Sequence, residues 1–321
     1  MLKALRLVLL AAGLACMAYL VARTGLAQLV EPIRALSWWL LPVVAVPYFL
    51  VTTCHAAAWR LCFERPRPPF GRLTAIRIAG EGFNTMAAAV GGEPVKAMLL
   101  RPAVPLDRSV AALVIDKTVI TLAQVVFLAG GLVIARASLP LPPAFLDLMT
   151  WLLWIEVVAV GGFLLVQTVE VVGRGLAAAA RALRPALLPR IESLRQFERT
   201  VAGFYRGHPA RLGAALLWHL LGWAVASLEV YTVLRVLGVD ISLSGALVLE
   251  AFTTSVRFMS FMVPANVGAL EAGAMVAFEA FGLGAGLGLA VSLIRRLRQL
   301  VWIAVGLACL AALRHPLPTD P

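Results

Sequence analysis

The sequence predicts an all-α fold: a polytopic helical membrane protein of about six spanning helices plus two re-entrant helical hairpins, arranged as an inverted repeat. Three observations carry that expectation. Of 321 residues, 61% are hydrophobic and only 14% charged, at a mean hydropathy of +0.90, more apolar surface than a water-soluble chain of this length could hide. Runs near the ~20 residues a bilayer requires recur along the chain. Two further apolar regions are broken by charge, glycine and proline, and they lie at matching places in the two halves.

The first run is 4–22. Lys3 and Arg6 ahead of it imitate a signal peptide, but Arg23 follows directly and no small-residue cleavage site is evident, so the expectation is a retained signal anchor. The later runs are 37–62, 110–135, 148–172, 211–237 and 283–313. Between them lie the broken regions, 78–100 and 243–281, each sized for two short helices that dip in and return. Such backbone is tolerated at membrane depth only where protein or a polar cavity covers it. Together these read as one integral membrane domain, 1–321, with a first half of about 1–172, a basic cytoplasmic connector of about 173–211 and a second half of about 212–321.

Orientation follows from arginine and lysine. With the N-terminus inside and both broken regions returning to the side they left, 18 basic residues face the cytoplasm and four (Arg23, Arg34, Arg136, Arg235) face outward. Both termini are then cytoplasmic. The net charge of +11 is explained by this asymmetry and needs no nucleic acid. Only Lys3, Lys96 and Lys117 are lysine, a bias that fits a GC-rich bacterial genome, and the expected location is the bacterial inner membrane. The arginines of 174–211 admit two readings, a solvated loop that sets topology or an amphipathic helix on the anionic leaflet.

Inside the runs lie Glu81, Glu93, Asp116, Glu156, Glu229, Glu250, Glu271 and Glu279, with Lys96, Lys117, Arg257, Arg295, Arg296 and Arg298. Facing lipid, these fourteen would cost roughly 35–50 kcal/mol, so they must face one another, water or a polar substrate. Glu156, Glu229 and Glu279 read as partners in internal salt bridges. Helical spacing puts Glu250, Thr253, Thr254 and Arg257 on one stripe, Arg295, Arg298 and Gln299 on another, and lets Glu93 reach Lys96 and Glu81 share a face with Asn84.

Around the breaks the charges coincide with Gly91, Gly92, Pro94, Pro264 and Gly268, which expose short-helix ends. The expected substrate-binding set is therefore Glu81, Asn84, Glu93, Lys96, Asp116, Lys117, Glu250, Arg257, Asn266, Glu271, Arg295, Arg296 and Arg298. Guanidinium forks and lysine point charges suit a phosphate carried on a lipid. Neither the four cysteines nor the four histidines show ligand spacing, so no metal, cofactor or catalytic residue is assigned.

The runs Ala79-Gly80-Glu81-Gly82-Phe83-Asn84 and Val90-Gly91-Gly92-Glu93-Pro94-Val95-Lys96-Ala97 resemble the lysylphosphatidylglycerol synthase transmembrane-domain family of flippase-like proteins. So do Pro264 to Glu271 and Phe281-Gly282-Leu283, and the compact hopanoid-associated subgroup looks similar too. The resemblance implies two re-entrant hairpins and a role in moving lipids between leaflets. Full-length synthases add a soluble lysyltransferase domain, which this sequence is expected to lack. Residues 84–89 depart from the proline-containing turn expected there.

Three functions compete. The leading one is translocation of a phospholipid, or of a polyprenyl- or isoprenoid-linked precursor, through a polar groove. A membrane-embedded enzyme acting on a lipid phosphate would use Glu81, Glu93, Asp116 or Glu271 as acid, base or metal ligand. An accessory subunit would scaffold lipid-biosynthesis enzymes. Oligomeric state has no signature in the sequence.

Overall fold

The computed structural model describes residues 2–25, 29, 31, 32, 34, 40–64, 67–87, 91–168 and 188–314. Among them are eleven α-helices and one short 3-10 turn. They are α1 (Leu2–Thr24), α2 (Leu40–Leu61), α3 (Phe70–Ala87), α4 (Gly92–Leu100), α5 (Leu106–Ser138), α6 (Pro143–Thr168), α7 (Leu188–Gly207), α8 (Pro209–Val236), α9 (Leu243–Met259), α10 (Ala269–Ala280) and α11 (Ala285–Arg314). By length and composition, α5, α6, α8 and α11 can each cross a membrane. The chain is a polytopic helical membrane protein. Residues 169–187, which include the first part of the basic connector from about 173, lie outside the described residues, while 188–207 is the helix α7.

The series α2, α3–α4, α5 recurs as α8, α9–α10, α11, and the packing repeats with it. Helices α2 and α8, the first of each half, lie along one another. Helix α3 packs on α11 of the other half, and α9 packs on α5 in exchange. Within the halves, the α3–α4, α4–α5 and α2–α3 contacts match α9–α10, α10–α11 and α8–α9. Small residues set both crossings. A methyl on Gly306 of α11 would meet the Ile78 carbonyl at 2.9 Å, and one on Gly131 of α5 would meet Ala251 Cβ at 2.7 Å. Without a hydrophobic force between helices in lipid, such close backbone approach supplies the packing energy.

Two apolar clusters flank the crossing region. One gathers Phe127, Leu128, Met149, Leu234 and Phe252, and the other Trp59, Phe63, Leu73, Ile76 and Ile115. Helix α6 turns Trp151, Trp154, Val158 and Leu165 outward, as a helix bordered by acyl chains does.

The broken regions become helical hairpins. In the first, Gly92 brings α4 against α3 so closely that a side chain there would strike the Gly80 carbonyl. Its N–H donates to Asn84 Oδ1 at 2.8 Å. Residues 88–90 of this turn, which include the end of the stretch 84–89 that departs from the family pattern, lie outside the described residues. The second turn runs through the 3-10 segment Pro264–Asn266, where Ala265 and Asn266 take positive φ of 54° and 52°. Non-glycine residues seldom adopt that conformation. Here the carbonyls of both are held by Arg296, at 2.6 and 3.2 Å. Helix α1 closes the turn from outside, since a methyl on Gly13 would meet the Val267 carbonyl at 2.5 Å.

Candidate functional site

Charge at this depth is paired almost throughout. In the first half, Lys96 Nζ donates to Glu81 Oε1 at 2.6 Å and Glu93 Oε1 at 3.1 Å, and Lys117 Nζ lies 2.9 Å from the same Glu93 oxygen. The Lys96 stem lies across Gly80, where any side chain would collide with it. Asn84 ties the knot together: its amide donates to Glu81 (3.3 Å) and Glu93 (3.0 Å) while its oxygen receives the Gly92 N–H.

In the second half, Arg295 pairs with Glu250 and lies 3.7 Å from Glu229. Glu229 also pairs with Arg298. Arg296 grips Glu271 at 2.7 and 3.1 Å. Glu271 in turn reaches back 2.7 Å to the Gly268 N–H at the start of α10. Arg296, Arg295 and Glu271 thus serve as latches of the turn and of the α9–α11 contact.

Between the halves is a cavity of about 230 Å³. Its wall takes Glu81 and Asn84 from α3, Lys117 from α5, Arg257 from α9, Asn266 from the second turn, and Arg298 with Gln299 from α11. Tyr48 of α2 and Trp302 of α11 also line it, with the Arg298 guanidinium 5.4 Å from the Tyr48 ring centroid. A smaller void of about 30 Å³, sharing Arg257 and Gln299 with this wall, reaches Arg295 and Arg296.

Six of the thirteen sequence-expected residues line the large cavity: Glu81, Asn84, Lys117, Arg257, Asn266 and Arg298. The remainder stand behind the wall. Lys96, Asp116, Glu250 and Glu271 are almost wholly buried within ion pairs. Glu93 joins the two lysines from behind.

Arg257 is the exception. Among the described residues its side chain makes no hydrogen bond and no ion pair, although Glu81, Glu93, Asp116, Glu229, Glu250 and Glu271 each have a cation in reach. Only its backbone carbonyl is engaged, accepting from Asn266 Nδ2 at 3.1 Å. A partly buried guanidinium lining a polar cavity has the forked donor geometry that suits a planar or tetrahedral oxyanion.

The structure departs from expectation at several charges. Arg77, counted on the cytoplasmic side, is buried and donates to Asp116 at 3.0 Å and to the His55 carbonyl at 3.0 Å. Its position near the middle of α3 leaves it no route to water, so it pairs. His219 Nε2 lies 3.2 Å from the other Asp116 oxygen, and His219 Nδ1 meets His55 Nδ1 at 2.8 Å. The two imidazoles come from helices 164 residues apart, which no local spacing announces.

Glu229 forms the salt bridges expected of it, but Glu156 and Glu279 do not. Glu156 is fully buried beside Gln124, which donates to it at 3.2 Å. Glu279 is exposed and accepts the Ala285 N–H at 2.9 Å, closing the α10–α11 corner. Among the described residues no group of three or more histidine, cysteine or acidic side chains could hold a metal.

A family model described as the lysylphosphatidylglycerol synthase TM region matches residues 4–307. No curated protein and no solved structure matches the chain.

Proposed function

Because the chain belongs to the lysylphosphatidylglycerol synthase TM-region family, we propose that it moves a lipid with a phosphate-containing headgroup between the leaflets of the bacterial inner membrane. The reading is supported above all by Arg257, a cation that makes no ion pair among the described residues and lines a cavity walled by both hairpins. A phosphate entering there would gain forked hydrogen bonds from Arg257, with Lys117 and Arg298 adding field from either side. The tails would stay in lipid while the headgroup crossed in the groove. Its repeated halves, meeting around the cavity, suit alternating access by rocking of one against the other.

Chemistry on a lipid phosphate is less well served. Glu93, Asp116 and Glu271 are each engaged by a cation, and Lys96 holds Glu81. None stands as a base toward the cavity without first breaking its pair.

Proteoliposomes carrying a fluorescent phosphatidylglycerol test the proposal. The protein accelerates exposure of the label to an external quencher, and Arg257→Gln slows it at least about tenfold, the worth of one charged hydrogen bond. Label as slow to cross with the protein as in empty vesicles would overturn the reading.

A further inference from the structure

Among the intramembrane carboxylates of the described residues, Glu156 is singular. It is the fourteenth of the 26 residues of α6, half-way along a spanning helix, and its exposure is 0%. The outer face of α6 borders lipid, and Glu156 points the other way, toward α5 and α9. From α5 it meets Gln124, whose amide donates to Oε1 at 3.2 Å. From α9 it meets Ser255, itself fully buried.

Charged groups on the packed helices are distant or committed. On α5, Asp116 and Lys117 lie about two turns from Gln124 and are paired to Arg77 and Glu93, while Arg136 donates to Thr150. On α9, Glu250 is held by Arg295, and Arg257 projects into the cavity. Helix α7 meets α6 at Gln167 through Tyr205, eleven residues and roughly 16 Å along the axis from Glu156.

An ionised carboxylate with one neutral donor at mid-membrane is among the costliest arrangements a protein can adopt. The neutral acid gives this carboxyl a donor of its own. Glu156 Oε2 accepts from no donor and is sealed from solvent. As a hydroxyl it becomes a donor, and its polar neighbour Ser255, which donates to the Ala251 carbonyl at 3.2 Å, has an oxygen that can accept. A proton on Oε2 would let the links Gln124 → Glu156 and Ser255 → Ala251 join into one chain running in a single direction.

We propose that Glu156 is a proton-binding site, loaded at neutral pH, and that its proton is exchanged as the hairpin helix α9 moves. This rests on the transport reading for its second clause. The acceptor of the proton lies on α9, the helix that also carries Arg257, so displacement of α9 removes Ser255 and leaves the hydroxyl without a partner. The carboxyl then releases its proton to whichever water-accessible side the movement opens. Protonation state and hairpin position are thereby linked, each biasing the other by the same factor.

Infrared spectroscopy of the protein in nanodiscs reads the first clause directly. Wild type shows the carbonyl band of a protonated carboxylic acid at neutral pH; Glu156→Gln, a neutral isostere of the proposed state, lacks it. Ser255→Ala keeps the band but titrates at lower pH, because the neutral form loses its acceptor. A band that survives in Glu156→Gln, or no band in wild type, overturns the proton site. For the second clause, lipid movement in vesicles is followed with and without an imposed pH gradient: wild type responds and Glu156→Gln does not. A gradient response that persists in Glu156→Gln overturns coupling through this residue. Should wild type move no lipid while its band is present, the transport reading and the coupling fall together and the proton site stands.

Discussion

The two halves carry the same buried ion pair with the signs exchanged. Arg77 is the eighth residue of α3 and Asp116 the eleventh of α5; Glu250 is the eighth of α9 and Arg295 the eleventh of α11. One step on, at the twelfth position, Lys117 and Arg296 each hold a glutamate in the first turn of their own hairpin's second helix, Glu93 and Glu271. At the twelfth position both geometry and polarity are kept; at the eighth and eleventh geometry is kept while polarity is exchanged. Such positions serve packing, since a pair buried in low dielectric works equally well either way round. The fifteenth positions differ in kind. Asn84 on α3 is a neutral amide whose donors and acceptor are consumed in its own half, whereas Arg257 on α9 is a cation facing the cavity. The repeat builds the frame twice and places the unpaired charge once.

Breaking one of the exchanged pairs has the largest expected effect. Asp116→Asn leaves Arg77 buried without a counter-charge and destabilises the fold by about 3–5 kcal/mol. Adding Arg77→Glu and Asp116→Arg together, which copies the second half into the first, recovers much of that loss. Thermal unfolding in detergent measures both, and a double variant no better than Asp116→Asn alone would end the claim of exchangeable polarity.

A smaller effect is expected at the first turn. Gly92→Ala pushes α4 off the Gly80 carbonyl and costs about 1–3 kcal/mol of overpacking. Gly71→Ala, where nothing lies within 4 Å, is the matched control. Equal melting temperatures for the two would show that the turn relaxes without strain. Least affected is Glu279→Gln, which keeps an oxygen for the Ala285 N–H and changes stability by no more than about 0.5 kcal/mol; a larger shift would reveal an ion pair at that corner.

Much of the frame was legible in the chain because membrane burial imposes local rules. The run 110–135 matches Leu106–Ser138, and both broken regions fold as hairpins where glycine, proline and charge interrupt apolar sequence. Short spacings were legible too: Glu93 does reach Lys96, and Asn84 does face Glu81. Partners distant in sequence were not. Arg77 sits in an arginine-rich stretch and looks cytoplasmic until Asp116, 39 residues on, is brought against it. Glu250 shares a helical face with Arg257 yet pairs with Arg295 from another helix. For Glu156 the expectation of a cation followed from general cost, but the fold supplies an amide and a hydroxyl instead.

Helix α1 touching the second turn has a consequence for handling the protein. The turn that presents Asn266 to the cavity is braced from outside by the segment around Gly13. Any load hung on the amino terminus, such as a purification tag, a fusion partner or a tether, pulls on a wall of the groove. A reporter placed there doubles as a handle on the hairpin.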